Sequence, residues 1–95
     1  MYKISVFIPE SHLEAVKNAM FAAGAGRIGD YDNCAWQCLG TGQFRPLEQA
    51  NPYLGNHGQV ETVAEYKVDM VCADECITEA ITAMKQAHPY EEPAY

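Results

Sequence analysis

Positive charge is scarce in this chain. Six lysines and arginines stand against thirteen aspartates and glutamates, a formal net charge of −7. Nucleic acid and anionic membrane both require a concentrated basic patch, so neither is an expected partner. Serine is rarer still, present only as Ser5 in an alternating stretch and Ser11 at the start of a helical pattern. No Ser-His-Asp arrangement can be assembled from these two. Long apolar runs are missing, which excludes a bilayer-spanning helix from the pattern. The opening "MYKISVFIPES" alternates and carries one lysine, unlike the core of a signal peptide. A cytoplasmic protein is the expectation. Internal repeats, low-complexity tracts and linkers are also lacking.

What remains is ordinary globular material. Hydrophobic residues make up 48% and charged residues 20%, too apolar a balance for a disordered chain. Ninety-five residues read as a single domain, 1–95, with a modest core. Under cytoplasmic conditions Cys34, Cys38, Cys72 and Cys76 count as thiols. They fall into two C-x3-C pairs, "CAWQC" and "CADEC". Structural zinc sites prefer two intervening residues, so the favoured reading is of small buried hydrophobes, with metal binding as the alternative.

Periodicity orders the elements. "YKISVFIP" places Tyr2, Ile4, Val6 and Ile8 on one face and predicts a first strand stopped by Pro9. "SHLE" has the form of a capping box, Ser11 as N-cap and Glu14 three residues on. Leu13, Val16, Met20 and Ala23 then recur at helical spacing, predicting a helix over 11–23 with Gly24 at its C-terminal stop. "CAWQCLGTGQF" predicts a second strand, and "QVETVAEYKVDMVC" a third, with Val60, Thr62, Ala64, Tyr66, Val68 and Met70 alternating against a mostly charged face. A second helix is expected over 74–87, its stripe being Ile77, Ala80, Ile81, Met84 and His88, with Pro89 fixing the stop. "EEPAY" would open a short last strand. The expected fold is therefore α+β, a ferredoxin-like β-α-β-β-α-β sandwich with two helices on one face of a four-stranded antiparallel sheet.

"GAGRIG" contains G-x-G-x-x-G at Gly24, Gly26 and Gly29. Dinucleotide binding needs that motif after a strand and at the opening of a helix. Here it follows a helix and leads towards a strand, so the glycines read as a helix stop and tight turns, and no organic cofactor is implied. The segment from Phe44 to Gly58 has no periodicity; a connection this long in a small domain is usually functional.

Three stretches carry a family resemblance. "GAGRIGDYDNC", "GQFRP" and the closing "HPYEEPAY", with the sequence between them, resemble the PII/CutA-like domain of the YqfO branch of the NGG-interacting-factor-like proteins. The resemblance implies a ferredoxin-like fold and a homo-oligomer, most simply a homotrimer, with a mobile loop between the second and third strands where Phe44–Gly58 stands. In the longer members this domain is inserted into a dinuclear-metal protein, sometimes labelled a GTP cyclohydrolase homologue, whose metal ligands lie outside the matching stretch. The function it implies is a non-enzymatic binding or regulatory module, possible protein partners meeting the 44–58 loop. Two alternatives stand beside it: metal handling of CutA type, with copper or another divalent cation, and a small metal-dependent hydrolase.

Site candidates follow from residue chemistry. The closing octapeptide reads mainly as a latch: its prolines stiffen it, Tyr90 and Tyr95 can bury rings while keeping their hydroxyls bonded, and Glu91 and Glu92 point to opposite faces if extended. The competing reading is a cleft between subunits where His88, Tyr90 and Glu91 converge with Glu61 or Glu65. His57, between glycines, is the most ligand-like histidine, and His57 with Glu61 or Cys38 would suit a borderline metal such as a divalent transition ion. Trp36, Tyr90 and Tyr95 are the expected anchors of a subunit interface.

Overall fold

Alternation in the opening stretch becomes strand β1, Tyr2–Pro9. The computed structural model describes all residues, Met1–Tyr95. A single 3-10 turn, Glu10–His12, leads into helix α1, Leu13–Ala22. Strands β2 (Trp36–Phe44) and β3 (Glu61–Cys72) follow, and a second 3-10 turn, Asp74–Cys76, opens helix α2, Ile77–Ala87. The sheet has three antiparallel strands in the order β1-β3-β2.

The register sets the two faces. Ile4, Val6 and Ile8 lie opposite Met70, Val68 and Tyr66. With Cys72 from β3, Leu13, Val16 and Met20 from α1, and Ala80 and Met84 from α2, they form the core under the helices. Burying each of the larger side chains contributes about 1.5–3 kcal/mol, so this layer dominates the stability. The helical stripes read from sequence are the ones that pack here, Ile77 and Ile81 only partly buried.

Gly24 ends α1 as expected, at φ +105. The Ala25 N–H donates to the Met20 carbonyl and the Gly24 N–H to the Phe21 carbonyl, the paired bonds of a Schellman stop. The capping box does not form: His12 is the N-cap of α1 without a side-chain bond, and Ser11 Oγ instead meets His12 Nδ1 at 2.8 Å. The 3-10 turn shifts the helix start past Ser11, taking its hydroxyl out of reach of the free amides.

The expected last strand is absent as a ladder. "EEPAY" makes one strand-like contact, the Phe7 N–H donating to the Ala94 carbonyl at 3.2 Å beside β1. Pro93 has no N–H to give to a ladder. The fold is α+β and compatible with a ferredoxin-like plan in which this edge is only begun.

The third strand departs from its expected face pattern at one end. Val68, Met70 and Cys72 are buried, but Thr62 and Ala64 are exposed. The ten residues of α1 cover about 15 Å, whereas the twelve of β3 extend about 40 Å. β1 pairs only as far as Glu65. Beyond it β2 and β3 continue as a two-stranded ribbon, which gives the molecule its 47 × 24 × 19 Å extents. β2 is exposed along most of its length on both faces, with Trp36 61% and Leu39 59% accessible. No helix of the structure is long and apolar enough to cross a membrane.

Candidate functional site

The sheet face opposite the helices carries Phe7 from β1, Glu65 and Lys67 from β3, and Trp36, Cys38 and Phe44 from β2. At its ribbon end, the 45–60 connection folds back over this face and meets the closing peptide. Between them lies a cavity of about 270 Å³. Its aromatic wall is Phe44, Tyr53 and Tyr90; its acidic rim is Glu65, Glu91 and Glu92.

Tyr90 is the hinge of this arrangement. Its ring centroid lies 6.3 Å from those of both Phe44 and Tyr53, tilted by 45° and 47°. Its hydroxyl donates to Glu65 Oε2 at 3.2 Å. Burial first, then the negative charge of Glu65 and the bond to it, push the phenol up to about 12, so the hydroxyl remains a donor at any physiological pH. Glu65 reaches Tyr90 by lying across Gly42: a Cβ there would run into the Glu65 carboxyl group. A bare backbone at position 42 is thus a condition for the Glu65–Tyr90 bond.

His88 secures the peptide from behind. It is 6% exposed. Its Nδ1 accepts the Tyr90 N–H at 3.2 Å, which places the ring proton on Nε2, and that nitrogen donates to the Phe7 carbonyl at 2.7 Å. Burial, partly offset by the Phe7 bond, holds its pKa below the usual histidine range. The neutral imidazole is therefore a structural bridge from α2 to β1. On the loop side, the Asn51 N–H donates to Glu91 Oε2 at 2.7 Å. Tyr53 also touches His12 edge-on, with centroids 6.1 Å apart.

The sequence candidates sort accordingly. Tyr90, Glu65 and Glu91 come together within one chain, with His88 in support. Glu61 does not join them; its side chain packs beside Gly55 of the loop. Glu91 and Glu92 both border the cavity, because the segment is not an extended strand. His57 Nε2 is bonded to the Ala50 carbonyl at 2.7 Å. Its two alternative metal partners stand apart from each other: Cys38 lies opposite Lys67 and Glu61 opposite Phe44, six residues along the strand, about 20 Å apart. No three His, Cys, Asp or Glu side chains are placed to hold one metal ion. Cys38 is exposed, against the reading of buried thiols, whereas Cys72 fits it: Cys72 is 1% exposed, and burial pushes its thiol up, away from a reactive thiolate. Of the interface candidates, Trp36 stands free, Tyr95 is 57% exposed with Lys85 Nζ 5.1 Å from its ring centroid, and Tyr90 is engaged inside its own chain.

Sequence reasoning missed Phe44, Tyr53 and Glu92. The available signal was the density of Phe44, Pro46, Pro52, Tyr53 and Leu54 in a segment without periodicity: a long connection with that much apolar surface packs on something.

No family model matches the chain. It is 48% identical over 90 residues to a protein of Mycobacterium tuberculosis named "GTP cyclohydrolase 1 type 2 homolog", an alignment covering 95% of this chain and 24% of that relative. A protein of the same name from Bacillus subtilis is 41% identical over 93 residues, covering 98% of this chain and 25% of the relative. Among solved structures, the Bacillus cereus protein related to NIF3 superposes with a TM-score of 0.83 at 40% identity, over 97% of this chain and 23% of that one. The chain spans about a quarter of the length of the curated relatives it matches, and both its sequence and its fold are similar to one portion of longer, NIF3-related proteins.

Proposed function

We propose that this chain is a ligand-binding module with a regulatory role, of the PII/CutA type, rather than a catalytic unit. The observation that carries the proposal is the cavity between the 45–60 connection and the closing peptide. Pockets that are partly apolar, with a few convergent polar groups, are where small ligands bind. The wall is made by a long connection between β2 and β3, the type of segment that changes shape on binding and passes the change to a partner. The hydroxyl–carboxylate pair in the cavity, Tyr90 with Glu65, holds a phenol pushed up to about 12 and so poorly suited to act as a nucleophile, and Glu91 is engaged by the Asn51 amide. Whatever reaction the longer relatives perform is assigned to no group of this segment.

The same reading includes association into a homo-oligomer, most simply a trimer. Supporting it, the sheet face opposite the helices is exposed at Trp36 and Cys38, away from the 45–60 connection, and the nine residues of β2, "WQCLGTGQF", carry no charge in a chain of net −7. An uncharged, exposed edge lacks the devices by which monomeric proteins block strand pairing.

The binding reading is tested by recording amide chemical shifts during titration with a panel of small metabolites spanning cationic, neutral and anionic compounds. Shifts clustered on 44–54, Glu65 and 90–94 are the expected result. A panel that moves no amide there, or moves only residues elsewhere, refutes it.

A further inference from the structure

We infer that the ligand class of this cavity is a compact organic cation, an ammonium or alkylated ammonium on a small apolar body. The inference rests on the binding reading above and deepens it. Four aromatic side chains, Phe7 beside the wall of Phe44, Tyr53 and Tyr90, and three carboxylates line a single space, with Arg45 the only cationic side chain on the lining. Arg45 is in no ion pair with those carboxylates, so they are not neutralised in place. Ring faces carry negative electrostatic potential and attract a cation held within about 6 Å of the centroid. Phe44 and Tyr53 each lie tilted against Tyr90, at 45° and 47°, rather than in parallel stacks with it, and all three rings line the cavity.

The carboxylates divide the work. Glu65 is held by Tyr90 and Glu91 by the Asn51 amide, so both are fixed in position. Glu92 is exposed and takes part in no hydrogen bond or ion pair; it acts on the Lys85 ammonium only through space, so its carboxylate can turn to a charge in the mouth. An anionic ligand, a phosphate group included, would enter against three negative charges with one guanidinium to receive it. A neutral aromatic could use the rings but would leave the rim without a role. The net charge of −7 adds a long-range field that draws cations to the molecule as a whole. The cavity's 270 Å³ limits the ligand to on the order of ten non-hydrogen atoms.

The test uses the full chain at fixed ionic strength and follows amide shifts with choline, with its neutral isostere 3,3-dimethylbutanol, and with inorganic phosphate. Choline is expected to move 51–54, Glu65 and 90–92, and to bind about tenfold or more tightly than the isostere. Tyr53→Leu and Glu92→Gln, both at exposed positions, are each expected to weaken choline about threefold to tenfold while leaving the remaining spectrum in place. Equal binding of choline and the isostere, or preference for phosphate at the same residues, overturns the cation inference and leaves the binding reading standing. Absence of cavity shifts with all three probes overturns the cation inference; the broader metabolite panel then decides the binding reading separately.

Discussion

Replacing His88 by alanine measures how firmly the closing peptide is fastened. The imidazole fills a site that is 6% exposed and serves two backbone groups, donating to the Phe7 carbonyl and accepting from the Tyr90 N–H. Its removal leaves a carbonyl and an amide without partners, each costing about 1–3 kcal/mol if no water reaches them, and a void in addition. The expected loss is about 2–5 kcal/mol. A 95-residue domain has about 5–14 kcal/mol in all, so the variant loses a large share of its margin. The pH dependence gives a second readout. Because burial depresses the folded-state pKa of His88, the unfolded chain binds the proton more readily. The stabilisation is fully present above the unfolded value of about 6.5 and is lost as pH falls from there through the depressed folded value. Urea unfolding followed by fluorescence at several pH values between neutral and mildly acidic, on both proteins, reads the two effects. The wild type should lose more stability on acidification than His88→Ala, the other groups contributing equally to both. Parallel pH slopes, or a cost below about 1 kcal/mol at neutral pH, would show that the imidazole is not the neutral bridge described.

Three further outcomes are expected. Glu65→Gln removes the charge that helps hold the Tyr90 phenol at about 12 but leaves its burial, so ultraviolet titration should find one tyrosine moving down towards, without reaching, the ordinary value of about 10; an unchanged titration curve argues against the Tyr90–Glu65 bond. In the wild type that raised phenol favours the folded state below about pH 10, the advantage fading as pH rises through about 12. Glu91→Ala frees the Asn51 amide, and hydrogen exchange there should accelerate to the rate of its exposed neighbours while the Val68 and Met70 amides remain slow; protection of Asn51 that survives the substitution sinks the contact. If association uses the open sheet face, Trp36 fluorescence shifts to the blue with increasing concentration and Trp36→Glu gives a monomer mass by light scattering; a wild type that is monomeric at every concentration removes the oligomer from the proposed function.

The elements that the sequence made legible are those whose pattern is local. Ile4, Val6 and Ile8 alternate because one face of β1 is under helices, and Met20 and Met84 recur at helical spacing for the same reason. Gly24 and Pro89 announce their stops through backbone geometry alone. Ser11 misled because a capping box is indifferent to whether a 3-10 turn precedes the helix. Thr62 and Ala64 misled because alternation reports pleat, and burial depends on how far the neighbouring helices reach. The site was half visible: Tyr90, Glu65 and Glu91 stood out by their chemistry, yet their convergence depends on Gly42 letting Glu65 cross β2 and on Tyr53 arriving from a loop. Glu61 and Cys38, named as alternative partners of His57, show the converse: suitable chemistry in sequence says nothing of the long ribbon that sets the two apart.

The fastening of the closing peptide to β1 bears on how the protein reaches its native state. His88 contacts Phe7 across 81 positions of sequence, and Glu91 contacts Asn51 across 40. Contacts this distant in sequence are expected to form later than the local β2–β3 hairpin. On that expectation the cavity is not yet formed in the folding transition state. Anything that occupies it slows unfolding and leaves the folding rate unchanged. Occupancy would be recorded by this small domain as lifetime, the interval before the peptide lets go, more than as a change in how quickly new copies become competent.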